Sequence, residues 1–265
     1  REFVKNFGRK PGLPQRWIFE PLMQWLKLND RTPLHTQCAD KYHVREYVKD
    51  KIGEEYLIPL VFESKNLNDI KPENLPDYPV IVKTNHDSSG GSIILNKNET
   101  NWVVVRNLLY KSLHINYYNK YKEWQYKNIE PRVIVEKLLQ HEDGSIPFDY
   151  KMHYFNGELV FTQVDLDRHI DHTRNLYDAD WSFLDIEWVY KNGRQLEKPK
   201  CYDEMKVVSK ALAQDFCYTR VDLYTLNNKV YFGEITFHSE SGFGAFNPDE
   251  WDLKFGNMLR LPNES

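Results

Sequence analysis

The sequence predicts an α+β protein, built from helices and antiparallel hairpins, on three observations. Residues 218–224 and 229–236 alternate polar and apolar side chains, which is typical of two strands joined by a tight turn. Residues 80–83 form a short β-branched run, and a loop of small residues separates it from a second apolar run at 93–95. Other segments carry apolar residues at helical spacing, which supplies the helical part of the fold.

Three segments are predicted to be helical. Residues 40–51 carry Val44 and Val48 as i,i+4 partners. Residues 101–121 and 203–216 show the apolar spacing of amphipathic helices. Their predicted buried stripes are Val104, Leu108, Leu109 and Leu113 in the first, and Val207, Val208, Ala211 and Leu212 in the second.

The predicted hairpin carries charged side chains at regular positions. Side chains at i and i+2 of a strand lie on one face, so Arg220 and Asp222 point the same way. The same holds for Glu234 and Thr236. If three residues, 227–229, form the loop, Asp222 falls directly opposite Glu234. A two-residue loop without a bulge would put these carboxylates on opposite faces of the sheet.

Two directly opposed carboxylates repel each other and destabilise a sheet. A divalent cation between them reverses that effect, and Mg²⁺ takes carboxylate oxygens together with substrate phosphates. The hairpin therefore has two interpretations. It is a divalent-cation site, or it is a solvated hairpin whose outer face is acidic.

A second candidate site follows the strand that ends at Lys83. Residues 84–92 are rich in serine and glycine, and such a loop can offer backbone N–H groups to anionic oxygens. Lys83 adds a compact positive charge beside it. The loop lacks the Walker pattern and opens no Rossmann unit, so it matches neither of those nucleotide sites. A third strand at 132–139, apolar up to Glu136, leads into a turn at 141–144.

The order of these segments resembles the ATP-grasp superfamily, and more closely its TupA-like branch, which is associated with teichuronopeptide and other surface-polysaccharide biosynthesis. The resemblance extends from about Trp17 to about Gly244. Its most specific stretches are Asp40-Lys41 with Val44-Arg45-Glu46-Tyr47-Val48, and Phe232-Gly233-Glu234-Ile235-Thr236. The other matching stretches are 24–28, 52–60, 82–91, 149–157 and 220–224.

The resemblance implies a role for each matching residue. Nucleotide contacts are implied for Lys41 and Lys83, and for a loop closing over the triphosphate that comprises Ser88, Ser89, Gly90, Gly91 and Ser92. The implied hinge that reads the adenine edge comprises Glu136, Lys137, Leu138 and Leu139, and Glu142 or Asp143 would take the ribose hydroxyls. The implied ligands of one or two Mg²⁺ ions are Asp222, Glu234 and Thr236. The implied catalytic contacts are Arg220, Lys151 and Arg168. Many ATP-grasp enzymes have asparagine where this chain has Thr236, and a neutral hydroxyl is a weaker ligand for a hard cation.

The fold implied by the resemblance has two α+β lobes that clasp the nucleotide, with the metal site on an antiparallel sheet. A helical lead-in would occupy residues 1–75, a small lobe 76–140 and a large lobe 141–265. The implied activity is ATP-dependent ligation of a carboxylate to an amine through an acyl phosphate. The carboxylate is expected on a uronic acid or similar group of a surface polysaccharide or its precursor, and the amine on an amino acid or small amine. Two alternatives stay open: a phosphotransferase that acts on a hydroxyl, and a non-catalytic glycan-binding partner of polysaccharide biosynthesis.

Composition narrows the functional class. A net charge of −4 over 265 residues argues against a dedicated nucleic-acid binder. Three cysteines without paired or metal-binding spacing, and no visible signal peptide, predict a cytoplasmic protein. No apolar run approaches the roughly 18–20 residues that span a bilayer. The sequence does not predict an oligomeric state.

Two polar stretches have competing interpretations. Residues 117–127 interleave bases with aromatic rings, which suits a nucleic acid or an anionic glycan. A solvated helix end that packs its rings inward is the favoured interpretation. Residues 165–175 fit no standard zinc signature. We interpret them as a substrate- or phosphate-facing loop with Arg168 and Arg174 as anion contacts, or else as a plain surface loop.

Overall fold

The computed structural model describes residues 18–87, 90–167 and 170–262. Among them the chain divides into two units, which we call the insert unit (32–147) and the flanking unit (18–31 with 148–262). The lead-in predicted at 1–75 is thus divided between the units. The strand at 60–64 pairs inside the insert unit, whereas the helix at 19–29 packs against the C-terminal helix. The boundary predicted after residue 140 also lies before the one observed after residue 147.

The elements of the described residues are as follows. The helices are α1 (Phe19–Asn29), α2 (Pro33–Ala39), α3 (Val44–Ile52), α4 (Trp102–Leu113), α5 (Tyr117–Tyr121), α6 (Tyr202–Ala213) and α7 (Glu250–Met258). The strands are β1 (Leu60–Ser64), β2 (Val80–Thr84), β3 (Ser92–Ile94), β4 (Val133–Lys137), β5 (Asp149–Phe155), β6 (Glu158–Leu166), β7 (Thr173–Tyr177), β8 (Phe183–Leu184), β9 (Glu187–Trp188), β10 (Tyr218–Leu226), β11 (Lys229–Thr236) and β12 (Phe246–Asn247). Single 3₁₀ turns lie at Glu54–Tyr56, Leu67–Asp69, Pro72–Asn74, Trp124–Tyr126 and Ser239–Gly242.

The insert unit is built on a four-stranded antiparallel sheet in the order β1-β4-β2-β3. Side chains alternate along each strand, so one face of the sheet is apolar and the other carries Lys83 and Glu136. The core on the apolar face includes Ile70, Leu75, Val80, Val82, Ile94, Val105, Leu109, Val133 and Val135. The predicted strands at 80–83, 93–95 and 132–139 are confirmed as β2, β3 and β4.

The flanking unit is built on a six-stranded antiparallel sheet in the order β11-β10-β5-β6-β7-β8. Helix α6 contacts β5, β6 and β10, whereas α1 contacts α7. One core cluster of this unit is strongly aromatic and contains Phe19, Phe155, Phe161, Trp188, Tyr218, Phe246 and Phe255. This packing explains much of the high aromatic content, because the rings fill the core instead of forming an exposed binding surface.

The predicted helix at 101–121 forms with two differences. The chain makes two helices, α4 and α5, since α4 ends at Leu113. The predicted buried stripe is partly wrong, because Val104 and Leu108 are each 51% exposed. The residues that face the sheet are Val105 and Leu109. Apolar residues occur on both sides of this helix, so periodicity alone admits two stripes and does not choose between them.

The other two predicted helices also form. Helix α3 begins at Val44 and not near residue 40, because the buried Asp40 carboxylate accepts the backbone N–H of Tyr42 at 2.8 Å and closes a turn there. Helix α6 buries Val208 and Leu212 as predicted, but Val207 is 70% exposed.

The hairpin of β10 and β11 has a different loop from the one predicted. The loop contains two residues, Asn227 and Asn228, since Leu226 pairs with Lys229. The backbone of both asparagines is left-handed, with φ of 53° and 61°. Asparagine tolerates this conformation, and such a turn matches the twist of the flanking strands. The predicted three-residue loop is therefore wrong.

A bulge corrects the register that this shorter loop would otherwise impose. Leu223 pairs with Phe232 and Asp222 pairs with Glu234, so Gly233 is an extra residue on β11. A Cβ atom on Gly233 would lie 3.0 Å from the carbonyl oxygen of Asp222, which is an unusually tight approach, so this position favours glycine. The predicted opposition of the two carboxylates is thus confirmed, although a bulge and not a longer loop produces it.

Two further expectations concern the whole chain. No helix among residues 18–87, 90–167 and 170–262 is long and apolar enough to cross a bilayer. Cys38, Cys201 and Cys217 are free thiols, in agreement with the absence of paired spacing in the sequence.

Candidate functional site

The insert unit holds a buried ion cluster on the polar face of its sheet. Lys83 on β2 contacts Oε2 of Glu136 on β4, with 2.7 Å between Nζ and the carboxylate oxygen. Arg45 on α3 contacts the other oxygen, Oε1, at 3.1 Å. We call Lys83, Arg45 and Glu136 the cationic cluster, because two positive groups share one carboxylate. The side chain of Glu136 is only 8% exposed, so the carboxylate holds both cations in a largely dry environment.

The Ser/Gly loop returns to the sheet directly beside Lys83. Gly91 has φ +95°, and a Cβ atom there would lie 2.7 Å from both the Lys83 Cβ and the Val82 carbonyl oxygen. Ser92 then pairs with Val82 in the strand register. Only glycine allows this close approach, which brings the end of the loop against the lysine. Ser88 and Ser89 lie outside the described residues.

Lys41 is tied to the segment that precedes this loop. Its Nζ donates a hydrogen bond to the carbonyl oxygen of Asp87, and its backbone N–H donates to that of Asn85 at 2.9 Å. Asn85 in turn donates to the buried carboxylate of Asp40 at 2.8 Å. These hydrogen bonds therefore connect the segment just before α3 to the segment just after β2.

The predicted hinge has fewer open backbone donors than the resemblance implies. The N–H of Lys137 donates to Pro59 and the N–H of Leu138 to Pro79, each at 3.0 Å. The edge of a bound ring would therefore have to be recognised through other groups of the hinge. Asp143 is exposed, and its carboxylate accepts the N–H and the hydroxyl of Ser145 at 2.9 and 2.6 Å. These hydrogen bonds lower the pKa of Asp143.

The flanking unit holds a second ion cluster, on β5, β10 and β11. Arg220 donates to Oδ1 of Asp222 at 2.6 Å through Nε, and to Oδ2 at 2.8 Å through a terminal nitrogen. The same terminal nitrogen reaches Oε1 of Glu234 at 3.0 Å. Lys151 approaches Asp222 from the neighbouring strand, with 2.7 Å between Nζ and Oδ2, and also contacts Asp149. We call these five residues the anionic cluster, because three carboxylates surround two cations.

Burial governs the electrostatics of the anionic cluster. It raises the pKa of Asp222 to about 6, and the contacts with Arg220 and Lys151 offset this effect only in part. Burial alone would lower the pKa of Arg220, but Asp222 and Glu234 raise it well above its ordinary value. The guanidinium is therefore a permanent cation that draws both carboxylates to one point.

A neutral histidine lies next to Arg220 in the sheet. His153 on β5 is the register partner of Arg220 and is completely buried. Its Nδ1 lies 3.0 Å from the Tyr218 hydroxyl, and its Nε2 lies 3.1 Å from Oε1 of Gln163. Burial lowers the pKa of His153 well below its ordinary value, and the charge of Arg220 lowers it further.

Comparison with known proteins identifies the family of this chain. A model of the TupA-like ATP-grasp family matches residues 22–260. The chain belongs to the TupA-like ATP-grasp family. No curated protein matches the chain significantly.

Solved structures of ATP-grasp ligases share the fold. The L-amino acid ligase from Bacillus licheniformis is 12% identical with a TM-score of 0.50, over 97% of this chain and 59% of that one. The D-alanine–D-alanine ligase from Helicobacter pylori is 18% identical with a TM-score of 0.47, over 91% of this chain and 69% of that one. The ATP complex of the Bacillus anthracis D-alanine–D-alanine ligase is 15% identical with a TM-score of 0.46, over 76% of this chain. The chain spans 54% of the length of that Bacillus anthracis enzyme.

The metal ligands implied by the TupA-like resemblance form an all-oxygen donor set. Asp222 and Glu234 converge on one positive group, the guanidinium of Arg220, so the two carboxylates can share a cation. The Thr236 hydroxyl lies 3.4 Å from Oε1 of Glu234. Hard oxygen donors of this kind suit Mg²⁺. Among the described residues no set of three or more histidine, cysteine, aspartate or glutamate side chains is arranged to hold a metal ion. Two carboxylates would therefore need further oxygens, which substrate phosphates provide.

Sequence reasoning missed two members of the clusters. Arg45 stands in the Val-Arg-Glu-Tyr-Val stretch, and Asp149 stands two residues before Lys151, so strand alternation could have identified the aspartate. Arg174 donates to the carboxylates of Asp165 at 2.6 Å and Glu240 at 2.8 Å, and its contact with a substrate anion stays a prediction. Arg168 lies outside the described residues.

Proposed function

We propose that this chain is an ATP- and Mg²⁺-dependent carboxylate–amine ligase that forms an amide through an acyl phosphate. The observation that carries the proposal is the arrangement of charge in the two clusters. In the insert unit Lys83 and Arg45 gather on the single carboxylate of Glu136, and such a pair of cations suits the oxygens of a phosphate chain. In the flanking unit Asp222 and Glu234 converge on one cationic group, and such a pair of carboxylates suits a divalent cation.

The cationic cluster has the chemistry to bind a nucleotide. Phosphoryl transfer needs little covalent help from a protein but needs positive charge held along the phosphates. Glu136 orients both Lys83 and Arg45, so these groups need not reorganise when the phosphates arrive. Lys41 adds a third cation, and the loop ending at Gly91 can exclude water from the reaction.

The anionic cluster has the chemistry to hold Mg²⁺ and to steady a reacting carboxylate. Asp222 and Glu234 would be the protein ligands, and the ion would neutralise phosphate charge and help ADP to leave. The Nε and one terminal nitrogen of Arg220 hold Asp222 and Glu234, and its other terminal nitrogen would contact a carboxylate or an acyl phosphate. Lys151 holds Asp222 from the neighbouring strand and offers a contact for the transferred phosphoryl group.

The reaction balances in two steps. A substrate carboxylate oxygen attacks the γ-phosphorus, the bond to the bridging oxygen breaks, and ADP leaves with the electron pair. The amine nitrogen then attacks the acyl carbon, phosphate leaves, and the nitrogen loses its extra protons to solvent. The first step converts a poor electrophile into a reactive one, and exclusion of water protects it from hydrolysis.

The substrate class rests on the family. TupA-like proteins are associated with surface polysaccharides, so we propose a uronic acid or similar carboxylate of a polysaccharide or its precursor as acceptor. The amine would come from an amino acid or a small amine. Each cluster is equally suited to a kinase that transfers phosphate to a hydroxyl, so the experiment must separate these reactions.

The test is ADP release by the full chain with Mg²⁺, screened over uronic acids combined with amino acids. We expect ADP only when both substrates are present, and a hydroxamate when hydroxylamine replaces the amine. Release of ADP with alcohols alone would establish the phosphotransferase instead. If ATP and Mg²⁺ together fail to raise the thermal midpoint, the proposal is wrong and the non-catalytic alternative is favoured.

A further inference from the structure

Helix α4 exposes an unusual set of side chains on the insert unit. Val103 is 70% exposed, and Val104, Leu108 and Tyr110 are each more than half exposed. Asn107 and Lys111 are the only other exposed residues of this helix. We call these six residues the outer face of α4. On a helix of 3.6 residues per turn they occupy one continuous arc, opposite the buried Val105 and Leu109.

An apolar outer face is costly for a helix that already has a partner. Val105 and Leu109 pack in the core on the sheet, whereas Val103, Val104 and Leu108 do not contribute to that core. A helix on a protein surface ordinarily presents charged or polar residues to water. An exposed patch that is mostly apolar marks a candidate interaction surface.

Helix α4 and the chain that follows it are strongly basic. Residues 101–127 contain one carboxylate, Glu123, and five basic side chains, Arg106, Lys111, Lys120, Lys122 and Lys127. This surplus of four positive charges stands in a chain whose net charge is −4. Glu123 is buried, so the acidic group does not offset the basic surface.

The exposed lysines of this segment are matched with aromatic rings and not with acids. The Nζ of Lys122 lies 5.5 Å, and that of Lys127 lies 5.4 Å, from the ring centroid of Tyr118. The Nζ of Lys120 lies 4.7 Å from the ring centroid of Tyr121. None of these three lysines, nor Lys111, pairs with a carboxylate of the described residues. Their positive charge is therefore available to an external anion.

We propose that the outer face of α4 and the following lysines dock the insert unit onto an anionic lipid surface. The apolar side chains enter the boundary between headgroups and acyl chains, while the lysines remain at the level of the anionic headgroups. Tyrosines suit the same boundary, since their rings are apolar and their hydroxyls are wet. The proposed attachment inserts side chains and not a whole helix, so it would be peripheral and reversible.

Other occupants fit these observations less well. A nucleic acid or an anionic glycan would use the lysines and tyrosines but would gain nothing from Val103, Val104 and Leu108. A second copy of the chain would bring the same positive charges against each other, which disfavours a symmetric contact. Of the occupants compared, a lipid surface is the one that uses both the aliphatic residues and the surplus charge.

Vesicle co-sedimentation of the full chain tests the proposal. We expect binding to vesicles of phosphatidylcholine mixed with phosphatidylglycerol, and much weaker binding to phosphatidylcholine alone. Replacing Lys120, Lys122 and Lys127 together by glutamine should weaken binding at least about tenfold, since each basic residue near an anionic surface contributes substantially. The double variant Val103→Ser/Leu108→Ser should weaken it by a similar factor, about tenfold, through lost apolar insertion.

Matched variants on the flanking unit serve as controls. Val207 is 70% exposed, like Val103, so Val207→Ser removes an equally exposed valine elsewhere. Replacing the exposed Lys191, Lys200 and Lys229 by glutamine makes the same change in net charge as the test variant. Both controls should bind the anionic vesicles like the wild type. Thermal unfolding of every variant confirms that the fold is kept, which the exposure of these side chains leads us to expect.

Three results would overturn the proposal. The first is wild-type protein that remains in the supernatant with anionic vesicles. The second is vesicle binding that survives Val103→Ser/Leu108→Ser while dextran sulfate competes for it, which would identify a plain polyanion site. The third is a dimer, measured by sedimentation velocity without lipid, that the Val103→Ser/Leu108→Ser variant dissociates. The outer face would then be an interface between copies of the chain.

Discussion

The two ion clusters use the same kinds of side chain in opposite arrangements. In the insert unit one buried carboxylate, Glu136, is shared by two cations. In the flanking unit one guanidinium, that of Arg220, is shared by two carboxylates, and burial keeps the pKa of Asp222 raised. The sign of the shared group, more than the identity of any one residue, is the difference on which the two proposed roles rest.

The strongest test of this comparison is to change the charge balance of the anionic cluster. Asp222→Asn should lower ADP release at least about 100-fold, because it removes a proposed metal ligand and the partner of Arg220. It should also lower the free energy of unfolding by about 3 kcal/mol, since two buried cations lose a shared carboxylate. Steady-state ADP release and chemical denaturation measure the two effects.

Asp203→Asn is the matched control for that variant. Asp203 is 81% exposed and pairs with Lys198 and Lys206, so the same chemical change removes a surface carboxylate. The control should behave like the wild type in both measurements. If Asp222→Asn released ADP within a few-fold of the wild-type rate, the proposed role of the anionic cluster would be wrong.

The second test removes a cation from the other cluster. Lys83→Met should raise the KM for ATP about tenfold, because a charge-assisted contact to phosphate is lost. The concentration of Mg²⁺ that gives half-maximal rate, measured at saturating ATP, should change little. Lys65→Met is the control, since Lys65 is 55% exposed and pairs with the exposed Glu130. If Lys83→Met raised the KM for ATP and the half-saturating Mg²⁺ concentration by the same factor, the two clusters would not have separate roles in binding phosphate and metal.

The third test moves the carboxylates without changing any charge. Gly233→Ala places a Cβ 3.0 Å from the Asp222 carbonyl oxygen and 2.9 Å from Tyr224 Cε2, so the bulge must shift. We expect the free energy of unfolding to fall by about 1–3 kcal/mol, as for other overpacked sites. The half-saturating Mg²⁺ concentration should rise several-fold, because Asp222 and Glu234 no longer converge.

Gly157→Ala provides the comparison for that variant. Gly157 has φ +82° and no atom within 4 Å of an added Cβ, so its substitution costs about 1–2 kcal/mol through the left-handed backbone alone. Its Mg²⁺ dependence should stay that of the wild type. A Gly233→Ala protein with unchanged Mg²⁺ dependence would contradict the importance of the bulge.

The smallest expected effect concerns the histidine beside Arg220. The pKa of His153 is well below 6.5 in the folded chain, so the unfolded chain binds more protons just below pH 6.5. Stability from this residue is therefore complete above pH 6.5 and decreases as the pH falls below it. The slope contributed by one proton is at most about 1.4 kcal/mol per pH unit.

Denaturation between pH 5 and 8 checks this expectation (roughly the range in which histidine titrates). His153→Gln should flatten the acid side of the profile, whereas the exposed His114→Gln should leave its slope unchanged. An unchanged slope in His153→Gln would mean that another group causes the loss of stability in acid.

The sequence predicts most of the fold because its elements are local. Strand alternation at 218–224 and 229–236 and the β-branched run at 80–83 each depend on residues close in the chain. Family resemblance adds the order of these elements. The buried face of α4 could not be predicted in the same way, because Val104 and Val105 are equally apolar neighbours and only the sheet decides which is covered.

The charge balance of the clusters could not be predicted from spacing. Lys151 and Asp222 are 71 residues apart and meet only because β5 and β10 pair in one register. Lys83 and Glu136 likewise meet only through the pairing of β2 with β4. Sequence motifs can identify such residues one by one. Which cations contact which carboxylates depends on how the strands pair, and that is known only from the structure.

Because of the bulge at Gly233, the length of the turn does not by itself decide which face of the sheet carries Asp222 and Glu234. A strand face depends on whether the number of intervening residues is odd or even, and Gly233 supplies the residue that restores parity after the short asparagine turn. Inserting one residue between Asn227 and Asn228 while deleting Gly233 keeps that parity, so both carboxylates should again face the same way. The hairpin tip can thus change in length while the two carboxylates below it keep their common face.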